Sequence, residues 1–512
     1  MTPIRAFRRV LVANRGEIAI RVCRALRELE SEPVVVYSDV DRAAAHVLQA
    51  EHAVCIGEAP ARDSYLRIDR LLEAARATGC EAVHPGYGFL SENHEFARAV
   101  QAAGLVFLGP DPEPMQLLGS KQRAKEAAIA AGVPVVPGFQ QDDGDDQRLL
   151  REAERIGFPV MIKASAGGGG RGMRVAGQRG EFLELLAAGR REASAAFGDA
   201  TMLLEKRVFP ARHVEIQIVG DRHGEVVSFG ERECSVQRRH QKVLEESPSP
   251  VVDAALRERM GAAAVALAKR VGYTGAGTVE FLLDERGHFY FLEVNTRLQV
   301  EHPVTEMVTG VDLVHLQVLV AGGAALRELL AGRDLRPRGH AIEARICAES
   351  PEQGYLPAAG RLQVVREPRG PGIRVDSGVY PGCEVPVHYD SLLAKLIVHA
   401  PDRETACRRL ARALGDSAYL GIPTNVDFLR RVVEDPEFRA GRLRTDFLDQ
   451  RPELARGAAG ALPDAVYVGA VLAQALGGTG TRAPLAGAPA TNGAGATLWT
   501  DLAGFRLFGG RS

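Results

Sequence analysis

The stretch Glu280–Glu301, EFLLDERGHFYFLEVNTRLQVE, constrains this chain more than any other part of it. Two runs rich in aromatic and branched residues, Thr278–Leu283 and His288–Val294, flank Asp284-Glu285-Arg286-Gly287 and predict a β-hairpin whose glycine supplies the turn. If the turn pairs Glu285 with His288, the same register sets Glu280 across from Glu293. Such partners have Cβ atoms roughly 4.5–5.5 Å apart, so two carboxylates face each other on one side of the sheet. They repel by about 4 kcal/mol at 4 Å and an effective dielectric near 20. A cation, a shared proton or open water must therefore meet them. Asn295 has the same parity and adds a neutral oxygen; hard oxygens without thiolate or imidazole suit Mg²⁺ or Mn²⁺ better than Zn²⁺. The alternation then continues as a comb, with Glu293, Asn295, Arg297, Gln299 and Glu301 on one parity and Val294, Leu298 and Val300 on the other. A solvated edge strand also alternates. The succession of carboxylate, amide, guanidinium, amide and carboxylate points instead to a metal and anion site with a further carboxylate at its far end.

A chain of 512 residues has room for several domains. Its net charge of −2 gives no electrostatic case for nucleic acid. No apolar run reaches the roughly 18 residues a membrane-spanning helix needs. The N-terminus lacks the apolar block of a signal peptide, and a cytoplasmic enzyme is expected. The seven cysteines form no CxxC pair, so neither a disulfide framework nor a structural zinc is expected.

In chain order, strand patterns at Arg9–Asn14, Val34–Ser38, Glu81–Pro85 and Val106–Gly109 alternate with helical patterns at Glu17–Leu29, Ser64–Thr78 and Asn93–Ala103. This predicts a wound parallel sheet, which binds ligands beyond the carboxyl ends of its strands. The loop His84–Asn93 lies at one such end and either shapes a turn or contacts substrate. A helix Ser120–Ala131 carrying Lys121 follows, and then a strand that reaches Lys163. Gly167, Gly169 and Gly172 spell GxGxxG, but MRVA, another strand, comes next where a dinucleotide site needs a helix. What remains is a glycine hairpin, Gly167, Gly168, Gly169 and Gly170, whose N–H groups can close over phosphates as a flap. Arg212–Val219 alternates as a half-buried strand does. Glu231–Glu246 is a dense charged run of the kind that ordinarily forms a solvated face. Beyond Gly339, strand patterns at Arg361–Glu367, Val385–His388 and Leu392–Val398 and helical ones at Arg403–Leu414 and Asn425–Glu434 read as a further lobe.

HPGYGFLSEN, KASAGGGGRGMR, RHVEIQ, GERECSVQRRHQK and EVNTRLQVEHPVTE, in this order, closely resemble the biotin carboxylase component of the biotin-dependent carboxylases, in the ATP-grasp superfamily. The match runs from about Arg8 to about Gln450. The resemblance implies an α/β and α+β fold in successive parts: a wound N-terminal domain over 1–119, an ATP-grasp domain over 120–335 with its lid at about 135–207, and a C-terminal biotin carboxylase lobe over 336–450. Residues 451–512 read as an Ala-, Gly- and Pro-rich linker and the opening strand of a following domain.

The same resemblance implies roles. Lys121, Lys163 and His240 contact nucleotide phosphates or ribose under the flap, and Glu205, Lys206, His213 and Gln237 surround adenine and ribose. Glu280, Glu293 and Asn295 are the magnesium ligands; Lys242, Arg297, Gln299 and Val300 form the bicarbonate pocket. Glu301 is the general base, Arg345 stabilises the biotin enolate, and Tyr87 lies in the loop that approaches biotin. The implied reaction is ATP-dependent carboxylation of biotin on a carrier protein with bicarbonate, through carboxyphosphate, as the first half-reaction of an acyl-CoA carboxylase. The implied partners are a biotin carboxyl carrier protein or domain, a carboxyltransferase subunit and a second copy of this chain. Arg24, Glu28 and Arg374 match the family's subunit interface, where Pro371 replaces a common aromatic. No Met-Lys-Met biotinylation site is present, so the carrier is a separate chain or the chain is truncated. Two alternatives stand beside this reading. A carbamoyl phosphate synthetase-like ligase would not need the Arg345 segment or the Tyr87 loop. A non-catalytic nucleotide-binding assembly subunit would have lost Glu301, Arg297, Arg345 or the metal carboxylates.

Overall fold

Val10, Leu11 and Val12 are wholly buried, and a strand apolar on both faces belongs at the centre of a parallel sheet. In the computed structural model, which describes residues 6–139, 141–164, 173–239, 241–457 and 468, that is its place. Arg9–Val12 (β1) lies between Glu32–Ser38 (β2) and Ala82–His84 (β4), with His52–Gly57 (β3) and Val106–Phe107 (β5) at the edges, all pairs parallel. The helix Gly16–Glu28 (α1) follows β1. β3, largely exposed along an edge, carries too little apolar pattern to be seen in the sequence. The predicted helix Ser64–Thr78 begins only at Ile68, after a short 3-10 turn at Ala61–Asp63. β1 stops two residues earlier than expected because Asn14 leaves the ladder. Its amide donates to the carbonyls of Pro85 (2.7 Å) and Tyr87 (2.8 Å). Gly86, at φ +64, passes so close that a Cβ there would stand 2.8 Å from Asn14 Nδ2.

Among the described residues the largest sheet has eight antiparallel strands. In spatial order they are Phe289–Asn295 (β14), Gly275–Asp284 (β13), Ala211–Gly220 (β10), Val226–Arg238 (β11), Gln241–Ser247 (β12), His340–Cys347 (β15), and the strands Leu392–Ala400 and Ile373–Ser377. Val214, Ile216 and Ile218 of β10 and Val279 and Phe281 of β13 share one core cluster with Met260, Ala264 and Leu267 of the helix Ala254–Arg270. The opposite face carries His213, Glu215, Gln217, Thr278 and Glu280, and these are also buried. The expected alternation of β10 is therefore present, but its polar side does not meet solvent. The helix His302–Thr309 covers it, with Arg232 of β11 donating to Thr305 at 2.9 Å. The charged run Glu231–Glu246 is likewise no solvated face: Glu231, Arg232, Glu233, Glu245 and Glu246 are all buried in β11 and β12.

The hairpin holds one correction with a consequence. The turn is closed by Asp284, not Glu285: Asp284 N donates to His288 O at 2.9 Å, and Glu285-Arg286-Gly287 form the loop with Gly287 at φ +77. Leu283 thus pairs with Phe289 and Phe281 with Phe291, which taken further would put Glu280 opposite Leu292. A bulge at Leu292, 40% exposed, takes up the extra residue and returns Glu280 to Glu293. The predicted carboxylate pair is right, although the route to it was read one residue out.

A smaller antiparallel sheet, Gly138–Phe139 (β6), Val160–Ala164 (β7), Arg174–Ala176 (β8) and Met202–Lys206 (β9), carries the part expected to be the lid. The predicted glycine flap Gly167–Gly170 falls outside the described residues, as does the predicted tail strand. In the last lobe the predicted strand Arg361–Glu367 is two short pieces, Gly360–Arg361 and Val364–Arg366. Val385–His388 shrinks to Glu384–Val385. The two predicted helices stand as Arg403–Asp416 and Val426–Glu434.

Candidate active site

The register across four strands assembles a row of charge. Glu293 faces Glu280, Glu280 faces Glu215, and Glu215 faces Arg232. Arg232 is 0% exposed and donates from all three nitrogens: Nε to Glu215 (2.5 Å), Nη1 to Gln217 (2.7 Å) and Nη2 to Thr278 (3.0 Å). Lys242, on β12, reaches into the row and its Nζ donates to Glu215 (2.5 Å), Glu280 (2.8 Å) and Glu301 (2.6 Å). Burial disfavours the Lys242 ammonium, but the three carboxylates outweigh it and hold its pKa well above the ordinary value. Arg232→Met is expected to cost about 3–5 kcal/mol of stability, because Glu215 keeps its burial and loses its rigid partner. Urea unfolding followed by circular dichroism measures that loss.

Glu301 does not stand on a strand. β14 ends at Asn295, the chain then turns, and Glu301 occupies the N-cap position of the helix His302–Thr309, which Pro303 helps to start. The expected comb is therefore a strand only as far as Asn295, yet its polar teeth still converge. Asn295 Nδ2 donates to Glu280 at 2.8 Å, and Arg297 donates to Gln299 (2.7 Å) and Asn295 (3.2 Å). Glu301 makes no capping bond because its carboxylate points elsewhere: Oε1 accepts from Lys242, and Oε2 accepts from Arg345 Nη2 at 2.9 Å. Burial raises its pKa, but Lys242, Arg345 and Arg232 together hold it well below the carboxylate range. Arg345 also donates from Nε to Glu245 at 2.5 Å.

Glu280 and Glu293 have the donor set of a divalent-ion site. Burial and then the charge of Glu280 raise the Glu293 carboxyl, while Lys242 and His213 overcome burial to hold Glu280 well below its usual range. These two carboxylates, with the neutral Asn295, would hold a dication, whose charge would relieve the repulsion that raises Glu293. His213, Glu215 and Glu280 also bring ligand atoms together, but the Lys242 ammonium already bonds both carboxylates there.

The nucleotide-side residues are placed less uniformly. Glu205 pairs with both Lys163 and Lys125. Lys206 donates to the carbonyls of Gly157 (2.7 Å) and Phe158 (2.9 Å), so its ammonium is already engaged within the protein. His213 Nε2 lies 3.0 Å from Glu280, beside the facing carboxylates and not beside Glu205 and Lys206. Gln237 pairs in register with Lys242, and Lys121 opens the helix Lys121–Ala130, where its charge bears on Glu293. His240 lies outside the described residues. The loop His84–Asn93 does more than turn the chain. Tyr87 lies beside the buried Lys395, and Glu92 pairs with Arg297 at 3.3 Å.

Sequence reading missed Glu215, Arg232 and Glu245. Glu215 sits on the polar parity of Arg212–Val219, and a carboxylate at that place was the available signal. Finding its partners needs the non-local pairing of β10 with β13, which no local pattern encodes.

Comparison with known proteins places the chain in a family. Residues 6–115 match the biotin carboxylase N-terminal domain family, 120–329 the carbamoyl-phosphate synthase L chain ATP binding domain family, and 343–450 the biotin carboxylase C-terminal domain family. The biotin carboxylase of Nostoc sp. is 51% identical over 444 residues, which cover 87% of this chain and 99% of that one. The mitochondrial methylcrotonoyl-CoA carboxylase subunit alpha of Rattus norvegicus is 48% identical, with 88% of this chain and 63% of that one covered. Among solved structures, the biotin carboxylase domain dimer of Hydrogenobacter thermophilus 2-oxoglutarate carboxylase, in complex with MgADP, ADP and bicarbonate, superposes with a TM-score of 0.81 at 44% identity, covering 89% of this chain and 100% of that one. Biotin carboxylase from Campylobacter jejuni gives 0.80 at 41%, covering 87% and 99%. With both flanking domain families matched and a curated relative half identical along its whole length, the chain belongs to the biotin carboxylase family.

Proposed function

We propose that this chain carboxylates biotin with bicarbonate at the expense of ATP, and that the work is done where Glu301 is held between Lys242 and Arg345. That ring of three charges, facing the Glu280–Glu293 pair, is the observation that carries the reading. Bicarbonate is a weak nucleophile, so the site must fix a small anion in line with the γ-phosphorus and remove its proton. Lys242 and Arg297 hold the anion, with Gln299 and the Val300 backbone shaping the pocket. Glu301, ionised at any pH near neutrality, takes the proton. Glu280 and Glu293, with Asn295, would hold Mg²⁺, which would supply charge neutralisation on the phosphates. Arg345, whose guanidinium stays charged under all conditions, then steadies the negative ureido oxygen of biotin as carboxyphosphate breaks down beside it.

The reading extends to partners. A biotinylated carrier and a carboxyltransferase subunit complete the reaction in an acyl-CoA carboxylase, and a second copy of this chain packs on the α1 side, where Arg24 is half exposed. The domain limits 1–119, 120–335 and 336–450 are kept as part of this proposal, and the matched families lend them support.

Bicarbonate-dependent ATP hydrolysis by the purified chain, with and without free biotin, tests the reading. Turnover is expected to rise when biotin is added. A rate indifferent to biotin would favour a carbamoyl phosphate synthetase-like ligase, and no turnover in any combination would favour a non-catalytic subunit.

A further inference from the structure

Lys395 stands in the strand Leu392–Ala400 and is 0% exposed. Burying an ammonium costs on the order of several kcal/mol, and a methionine of similar length would fill the same space without that cost. Its neighbours in register are Arg345 on one side and Asp376 on the other. Nζ donates to the Val300 carbonyl at 2.8 Å, lies 3.5 Å from Glu17 Oε1 and 4.0 Å from Asp376 Oδ2, and stands 5.8 Å from the centre of the Tyr87 ring. One buried charge thus touches α1 of the parallel sheet, the loop bearing Tyr87, and the turn that presents Glu301. It also adjoins Arg345.

The surrounding carboxyls do not neutralise it fully. Asp376 is already bonded by Arg374 at 2.7 Å. Burial lifts Glu17 to about 7 against the pull of Lys395, and among the described residues neither Glu17 oxygen has a hydrogen-bond partner. Burial likewise holds Glu343, on neighbouring β15, well above the carboxylate range. Among the described residues the hydrogen bond of Lys395 is the one to Val300, the residue immediately before Glu301.

We infer that Lys395 is a positioning residue for the reaction: by holding the Val300 carbonyl it fixes the Glu301 carboxylate between Lys242 and Arg345. This rests on the role proposed for Glu301, and the test separates the two. Lys395→Met is made in the full chain. The pair Lys395→Met/Glu17→Gln removes the buried charge together with its nearest carboxylate, so that a folded protein is available if the single variant does not fold. A misplaced reacting group costs roughly 10²-fold, so kcat for bicarbonate-dependent ATP cleavage is expected to fall by about that factor while KM for ATP stays within about twofold. Because the loss acts through one carboxylate, adding Lys395→Met to Glu301→Gln should lower the residual rate no further, whereas two independent defects multiply. The inference is overturned if the folded variant keeps more than about a third of the wild-type rate, if KM for ATP rises in step with the loss, or if the two losses multiply. If Glu301→Gln itself kept the wild-type rate, the Glu301 reading would fall and this inference with it. If Glu301→Gln is inactive and Lys395→Met is not, the inference alone falls.

Discussion

Glutamine in place of Glu301 is expected to lower bicarbonate-dependent ATP cleavage by roughly 10²–10⁴-fold, the range a positioned proton acceptor contributes, while nucleotide binding survives. The two side chains have the same shape, so the change is one of charge and of donor pattern. Glu301 accepts from Lys242 on one oxygen and from Arg345 on the other. Glutamine has one accepting oxygen, and its NH₂ must oppose one of those cations. Lys242 still has Glu215 and Glu280 as counter-charges, and Arg345 still has Glu245, so the fold has no unpaired cation to bury. The Glu301 carboxylate also sits well below the ordinary range, because Lys242, Arg345 and Arg232 together outweigh its burial. Steady-state ATP cleavage and equilibrium binding of ADP check both halves. A variant retaining more than about a tenth of the rate would remove Glu301 from the proton-transfer step.

What the sequence makes legible follows from how local each signal is. The facing carboxylates Glu280 and Glu293 belong to one hairpin, so alternation and a glycine turn suffice to bring them together, and the bulge at Leu292 corrects a turn read one residue out. The helices Lys121–Ala130 and Arg403–Asp416 begin within a residue of their predicted starts because each has a Ser or Asp N-cap bonded to the first turn. Arg232 shows the opposite case. In Glu231–Glu246 local reasoning sees only charge, and charge usually means solvent. Its burial depends on Glu215 from β10, Thr278 from β13 and Thr305 from the following helix, three partners far apart in the chain. Lys395 was hidden for the same reason. Leu392–Val398 reads as an apolar strand, and only the approach of Val300, Glu17 and Tyr87 gives the lysine in it a task.

Truncating Arg345 to alanine is expected to lower biotin carboxylation by roughly 10²–10³-fold, the size of effect seen when a single donor to a developing oxyanion is removed. The fold should survive because of Glu245. Burial lifts that carboxyl to about 7 even against Arg345, and without the guanidinium it climbs further and is uncharged at neutral pH. Since its folded pKa lies above its unfolded one, Glu245 contributes stability that is complete below the unfolded value and is lost as pH rises through about 7. In the alanine variant that loss continues to higher pH, so its melting temperature should fall away from wild type progressively above about 7 and match it more closely in acid. Lysine at 345 separates charge from geometry. One ammonium on a flexible stem does not reproduce the planar fork that donates from Nε to Glu245 and from Nη2 to Glu301. Arg345→Lys is therefore expected to recover stability and less than about a tenth of the carboxylating rate. Carboxylation of free biotin, measured beside melting curves from acid to alkaline pH, tests both expectations. A lysine variant as active as wild type would show that charge alone serves the enolate, and the fork's hold on Glu301 would then have no catalytic meaning.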